Sequence, residues 1–258
     1  VSSPAGAGRT TPRSAGLRVL RIAGVGVVIV LALVAILTAL RTELPRSPGV
    51  MSDALGPENG EPVDDYLARA VKSLGDDGEN PATGADDLRW ALVTAGRAWT
   101  VPEASGVVRE LPRVSGLYVQ VPVEGVAMPV TGVTLAEPVA GESGREQVFD
   151  RGVRDVVERL RGGRPVGPGA QAPPDADRAD ATAALTVSRI RSGAPAIIGL
   201  LARGTPAQLR TVAGQPGVRA VEALPADAVW ERFAVRPLQP QQVDAAFPLP
   251  DDAPVPSA

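Results

Sequence analysis

Four places in the chain set two carboxylates side by side: Asp64-Asp65, Asp76-Asp77, Asp86-Asp87 and Asp251-Asp252. Paired carboxylates are the working parts of glycoside hydrolysis, and closely spaced acidic oxygens are the ligands of Ca²⁺. Adjacent side chains diverge on a helix or a strand, however, and two of these pairs stand where a helix is expected to begin and acids complement its dipole. The stretch "DDGEN" (76–80) lacks the D-x-[DN]-x-[DN]-G order and the terminal Glu of a calcium loop. The chain contains no His and no Cys. The commonest general base and metal ligand is therefore missing, and so are thiolate metal sites and disulfides. No G-x-S-x-G is present, and the one lysine, Lys72, sits in an ordinary amphipathic pattern, so a serine nucleophile has no evident base. These residues lead us to expect no catalytic residue, no metal and no cofactor, hence no enzyme. The competing expectation, a carboxylate-dependent cell-wall or polysaccharide enzyme, requires distant acids to converge in a cleft with raised pKa values.

A second candidate is the junction "ARGTPAQ" (202–208), where a strand runs into a helix. A helix N-terminus can hold an anion with its free N–H groups. Here there is one glycine where a dinucleotide fingerprint needs G-x-G-x-x-G, and Pro206 removes a donor. Thr205 and Gln208 form a capping box that satisfies further donors. The junction reads as a turn.

The third candidate is aromatic. Trp90, Trp99 and Trp230 are conspicuous in a chain that is 3% aromatic. They are expected either as large core residues or as the lining of a pocket for a small envelope ligand. The segment "VWERFAVRPLQPQQV" (229–243) mixes aromatic and basic residues, and Trp230, Phe233 and Arg236 are its candidate partner-binding residues. It leads into the proline-rich end "LQPQQVDAAFPLPDDAPVPSA", which reads as a disordered tail over 237–258.

The elements that must position these residues begin with "IAGVGVVIVLALVAILTAL" (22–40), 19 residues without a charge. An apolar helix of about 20 residues spans a bilayer. Arg9, Arg13, Arg18 and Arg21 precede it, so the N-terminal side is expected in the cytoplasm and the remainder outside. The run is longer than the apolar region of a signal peptide and lacks a good cleavage site, which favours an uncleaved anchor in the cell membrane. Ala35 and Ala39 form a small-xxx-small pair, the basis for a weak homodimer through this helix. All 29 acidic residues lie beyond residue 42, against 20 arginines and Lys72, a net of about −8 for the outer part. That balance argues against nucleic acid and against anionic lipid headgroups as partners, leaving the bilayer itself, through 22–40, and an envelope protein.

Beyond a Pro/Gly/Ser linker (41–61), "EPVDDYLARAVKSLG" predicts a helix with Tyr66, Leu67, Ala70, Val71 and Leu74 on one face. The segment 85–103 is ambiguous: Leu88, Ala91, Leu92 and Ala95 fit a helix, whereas "RAWTVPE" fits an extended exit. Residues 115–125 alternate as a strand and "VAMPVTGVTLAEP" (126–138) can return as its hairpin partner, with Pro129 suggesting an edge. "SGREQVFDRGVRDVVERLRGG" (143–163) predicts a helix with a Ser143–Glu146 capping box and Phe149, Val153, Val156 and Leu160 inward. Residues 163–182 read as a flexible insertion. "ALTVSRIRS" and "PAIIGLLARG" read as two strands, followed by the Thr205 helix and the strand "VRAVEALP". The expected fold class is α+β: a transmembrane helix followed by a ferredoxin-like split βαβ domain outside the membrane.

The organisation expected is thus a disordered cytoplasmic segment (1–21), the membrane helix (22–40), the linker (41–61), a helical or irregular part (62–104), the α+β domain (105–236, with its insertion at 163–182) and the tail (237–258). The residues "RGTPAQLRTVAGQPGVRAVEALPADAVWERFAVRPL" resemble the C-terminal portion of conserved, uncharacterised single-pass membrane proteins of high-GC Gram-positive bacteria. That resemblance implies an envelope placement and assigns no activity to any residue. The function expected is binding: a regulatory or scaffolding component of a membrane complex, with an extracytoplasmic ligand-binding domain as the alternative.

Overall fold

A computed structural model describes residues 53–75, 87–136, 144–162 and 175–258. The apolar run 22–40, the segment before it, most of the linker, the Asp76-Asp77 loop, Asp86, Ser143 and residues 163–174 lie outside the described residues. Among the described residues no helix is long and apolar enough to cross a membrane.

The chain runs β1 (Ala54–Leu55), α1 (Val63–Ser73), β2 (Arg89–Trp99), α2 (Val101–Val107), β3 (Arg113–Val119), β4 (Thr131–Thr134), α3 (Arg145–Arg161), α4 (Ala176–Arg191), β5 (Ile197–Gly204), α5 (Pro206–Ala213), β6 (Val218–Ala223) and β7 (Ala234–Val235). Five strands form one antiparallel sheet in the order β4-β3-β5-β2-β6, and β1 pairs with β7 in a separate parallel ribbon. The architecture is α+β.

Helix α1 forms where expected, with Asp64 and Asp65 in its first turn and Val63, Tyr66 and Ala70 buried. Val71, expected on the same face, is exposed. The ambiguous segment is a strand: β2 lies between β5 and β6 and is buried on both faces from Arg89 to Ala95. A central strand covered on both sides has a continuous apolar run, which places residues at helical spacing as readily as at strand spacing. Its exit is not extended. Thr100 and Glu103 make a capping box and open α2.

"ALTVSRIRS" is not a strand. It is the second half of α4, which starts inside the segment expected to be a flexible insertion, and it buries Thr182, Leu185, Thr186 and Val187 at helical spacing. The β-branched residues in this stretch misled the strand reading, since packing overrides that weak preference. Helix α3 begins at Arg145, behind an N-cap glycine, Gly144, that makes no side-chain cap. Phe149 and Val156 point inward, with Val153 and Leu160 partly covered. Gly152 is a required close approach, because a Cβ there would lie 2.6 Å from Leu135 and 3.1 Å from Leu117.

The tail is not disordered either. Leu238 and Ala246 are fully buried. Ala246 exchanges backbone hydrogen bonds with Gly60 and Glu61, and Val63 donates to Asp244 (2.9 Å). Further on, Asp251 pairs with Arg178 of α4 (2.5 Å) and accepts from the Ala127 amide (2.9 Å). Prolines confined φ but left these donors and acceptors available for pairing.

The sheet has two differently built faces. Ala91, Val93, Leu117, Val119, Leu200, Ala202 and Val221 pack against α2, α3, α4 and α5 in the main core. Their alternates, Trp90, Leu92, Leu201 and Leu224, face Leu55, Phe233 and their neighbours. Next to these, Ala220 of β6 packs with Tyr66 and Ala70 of α1.

Candidate functional site

The second face carries the aromatic candidates. Trp90 comes from the central strand β2. Trp230 and Phe233 come from the segment between β6 and β7, which folds back over the sheet because Leu224 continues the β6 pairing, its amide donating to the Trp90 carbonyl (2.8 Å). The rings of Trp90 and Trp230 are 4.6 Å apart and tilted by 36°. Phe233 lies 6.1 Å from Trp90 and 6.2 Å from Trp230, edge-on to the latter at 79°. The Trp230–Phe233 pair has the T-shaped arrangement that aromatic quadrupoles favour, and the two pairs with Trp90 are tilted. Phe233 is buried, while Trp230 is half-buried.

Two arginines stand over Trp90. The guanidinium carbon of Arg113 is 5.7 Å from its ring centroid and that of Arg203 is 5.5 Å away. Both distances are within reach of a cation–π contact. Trp230 and Phe233 also border a cavity of about 220 Å³ with Ser115, Tyr118, Thr134 and Leu201. Burial pushes the Tyr118 phenol up to about 12. Glu231, on the same rim, has φ 65, the one non-glycine residue in the left-handed region among the described residues. Backbone held there is strained by about 1–3 kcal/mol and is maintained by its surroundings.

The other candidates are dispersed. Arg236 is exposed and lies away from the cavity lining; its guanidinium donates to the Ala246 carbonyl (2.8 Å) and its amide to Leu55 (2.8 Å), fastening the tail and β1. Trp99 is buried in the main core on the helix side. Asp64-Asp65 opens α1 and Asp251 is paired with Arg178, so the described members of the acidic pairs do not converge. Among the described residues no group of three or more His, Cys, Asp or Glu could hold a metal ion. At the "RGTPAQ" junction the Thr205 hydroxyl accepts from the Gln208 amide (3.3 Å) and the Gln208 side chain accepts from the Thr205 amide (3.0 Å), the turn expected.

One carboxyl is unusual. Glu222 of β6 is buried and accepts from the Gly56 amide (2.5 Å) and from Arg69, whose guanidinium also binds Glu61 (2.9 Å). Burial raises the Glu222 pKa against the opposing pull of Gly56 and Arg69. Nearby, burial and then the Glu222 charge hold the Tyr66 phenol well above its usual range. A carboxylate engaged this way ties α1 and the β1 turn to the sheet and has no open side toward a substrate.

Compared with protein-family models, with characterised proteins and with solved structures, the chain matches none. Sequence reading named Trp230 and Phe233, and grouped Trp90 and Trp99 with Trp230 as the lining of one pocket; Trp90 joins the cluster, Trp99 does not, and Arg113 and Arg203 were missed entirely. Residues 90, 113 and 203 become neighbours only through strand register, which pairs Arg113 with Arg203 and Arg203 with Trp90.

Proposed function

We propose that this is a single-pass envelope protein, anchored by residues 22–40 with its N-terminus in the cytoplasm, whose outer domain acts by binding a membrane or envelope protein as a regulatory or scaffolding component. The observation that carries the reading is the Trp90–Trp230–Phe233 cluster, whose half-buried Trp230 and strained neighbour Glu231 lie at the rim of a cavity. Aromatic anchors at a rim, beside arginines, are the composition of binding hot spots. The absence of His and Cys from the sequence and the dispersal of the described acids support binding over catalysis. We also read the domain as ferredoxin-like. The four strands β6-β2-β5-β3 follow the split βαβ order, with β2-α2-β3 and β5-α5-β6 as its two halves and β4, α3 and α4 as an insertion between them.

The cavity favours a second reading, an extracytoplasmic ligand-binding domain. Its volume of about 220 Å³ is below the roughly 300–1,000 Å³ of pockets that enclose a drug-sized ligand, so it would seat a small group.

The test is affinity purification of the full chain from mild-detergent membranes beside Trp230→Ala and Phe233→Ala. A stoichiometric membrane partner recovered with the wild type and lost with Trp230→Ala supports the reading. The same partner retained by both variants removes the cluster as its contact, and no partner with any of the three overturns the scaffolding role.

A further inference from the structure

We propose that Arg113 and Arg203, set over Trp90, form a binding site for a small organic molecule bearing an oxyanion, a carboxylate or a phosphate, with its apolar body against the Trp230–Phe233 cavity. Strand register places the three side chains in one row across β3, β5 and β2, on the face away from the helices. Like charges directly opposite each other on neighbouring strands destabilise a sheet. Among the described residues no carboxylate forms an ion pair with Arg113 or Arg203. The Nε of Arg203 is buried with no hydrogen-bond partner, and a buried polar group left unpaired is costly.

Trp90 supplies one compensation, because its π face attracts both cations. An oxyanion supplies the other, since guanidinium forks match carboxylate and phosphate oxygens in charge and geometry. The site also joins the cavity. The Nε of Arg113 donates to Ser115 Oγ (2.8 Å), and Ser115 lines the cavity with Tyr118, Trp230 and Phe233. A ligand held by its oxyanion at the arginines can therefore lay an apolar portion on the aromatic cluster. The proposal goes beyond the scaffolding role and does not depend on it: a membrane partner is sought by purification, whereas this ligand is sought by titration.

The experiment follows tryptophan fluorescence of the full chain in detergent micelles, titrated with sodium phosphate and separately with sodium benzoate, against sodium chloride at matched ionic strength. The expected result is a saturable change with phosphate, with benzoate or with both, and the responding arm names the oxyanion. Arg113→Gln and Arg203→Gln should each weaken binding at least about tenfold, the effect of losing one charge-assisted hydrogen bond. Should Arg203→Gln fail to fold by circular dichroism, the exposed Arg113 decides through its own variant. No saturation with either anion, the same response to chloride, or wild-type affinity in Arg113→Gln overturns the proposal.

Discussion

On its helix side the sheet sets Ala91, Val93, Leu117, Leu200 and Val221 against Phe149, Val156, Leu185 and Leu209, an apolar interface continuous from strand to helix. On the other side the same strands present Trp90, Leu92 and Leu201 together with Arg113, Arg203 and the buried Glu222, covered by chain from both ends of the domain. The first face is held mainly by burial, which is non-directional and tolerant of repacking. The second is held partly by charge and hydrogen bonding, where each group depends on a named partner and losing one leaves another exposed to a low dielectric. Function is therefore to be sought on the second face. The apolar interface buries uncharged side chains, while the other face holds Arg113 and Arg203, which have no carboxylate partner among the described residues, and a half-buried tryptophan.

The largest effect that would sharpen this contrast is Phe149→Ala. Phe149 is fully buried among the sheet residues, and truncating a buried phenylalanine costs about 3–5 kcal/mol through lost transfer energy and a residual cavity. Urea unfolding should show a lower midpoint with an unchanged slope, and a loss under about 1 kcal/mol would mean that the helix face is not the main source of stability. On the other face, Arg69→Ala strands Glu222. Arg69 is 41% exposed, so the loss should fall to about 1–3 kcal/mol, below the 3–5 of a fully buried pair. Glu222 has a raised folded pKa, so its contribution is present below the ordinary glutamate range and is lost as pH rises through the folded value. Removing Arg69 raises that pKa further. The deficit of Arg69→Ala should therefore be greater at pH 7 than near pH 5, and Glu222→Gln should restore part of it. A deficit independent of pH would show that Arg69 acts through packing and not through charge.

The same contrast explains what could be read before the fold was known. Helices α1, α3 and α5 were legible because each has one apolar face, and the Thr205–Gln208 box marked its own position. Strands β5 and β6 were legible from short apolar runs between turn residues. Strand β2 was not, because burial on both faces erases its alternation. Helix α4 was missed because its start lies in a stretch of small and acidic residues and its end carries β-branched ones. The tail was misread because its proline content resembles that of a disordered end, while its anchoring by Leu238, Ala246 and Asp251 depends on contacts with residues far away in sequence. In the candidate site, only Trp230 and Phe233 are close enough in sequence to suggest one another. The arginines that complete it arrive by register, which no local pattern encodes.

The smallest effect separates two helices that look alike. Thr100–Glu103 on α2 and Thr205–Gln208 on α5 are both capping boxes with a proline in the first turn, and Thr→Ala in either should cost about 1 kcal/mol. They differ in charge. Arg97 and the Thr100 amide hold the Glu103 carboxyl down at about 2, whereas Gln208 does not titrate. A lowered folded pKa contributes stability that is present above the ordinary glutamate range and is lost as pH falls through the folded value. Glu103→Gln should therefore leave the stability below about pH 2 unchanged and reduce it only slightly at pH 7, because the Arg97–Glu103 pair is exposed and screened. The acid limb of the stability curve should flatten to match. If Gln208→Glu then introduces no such limb at α5, the decisive partner is Arg97, and the box alone does not make a helix start acid-sensitive.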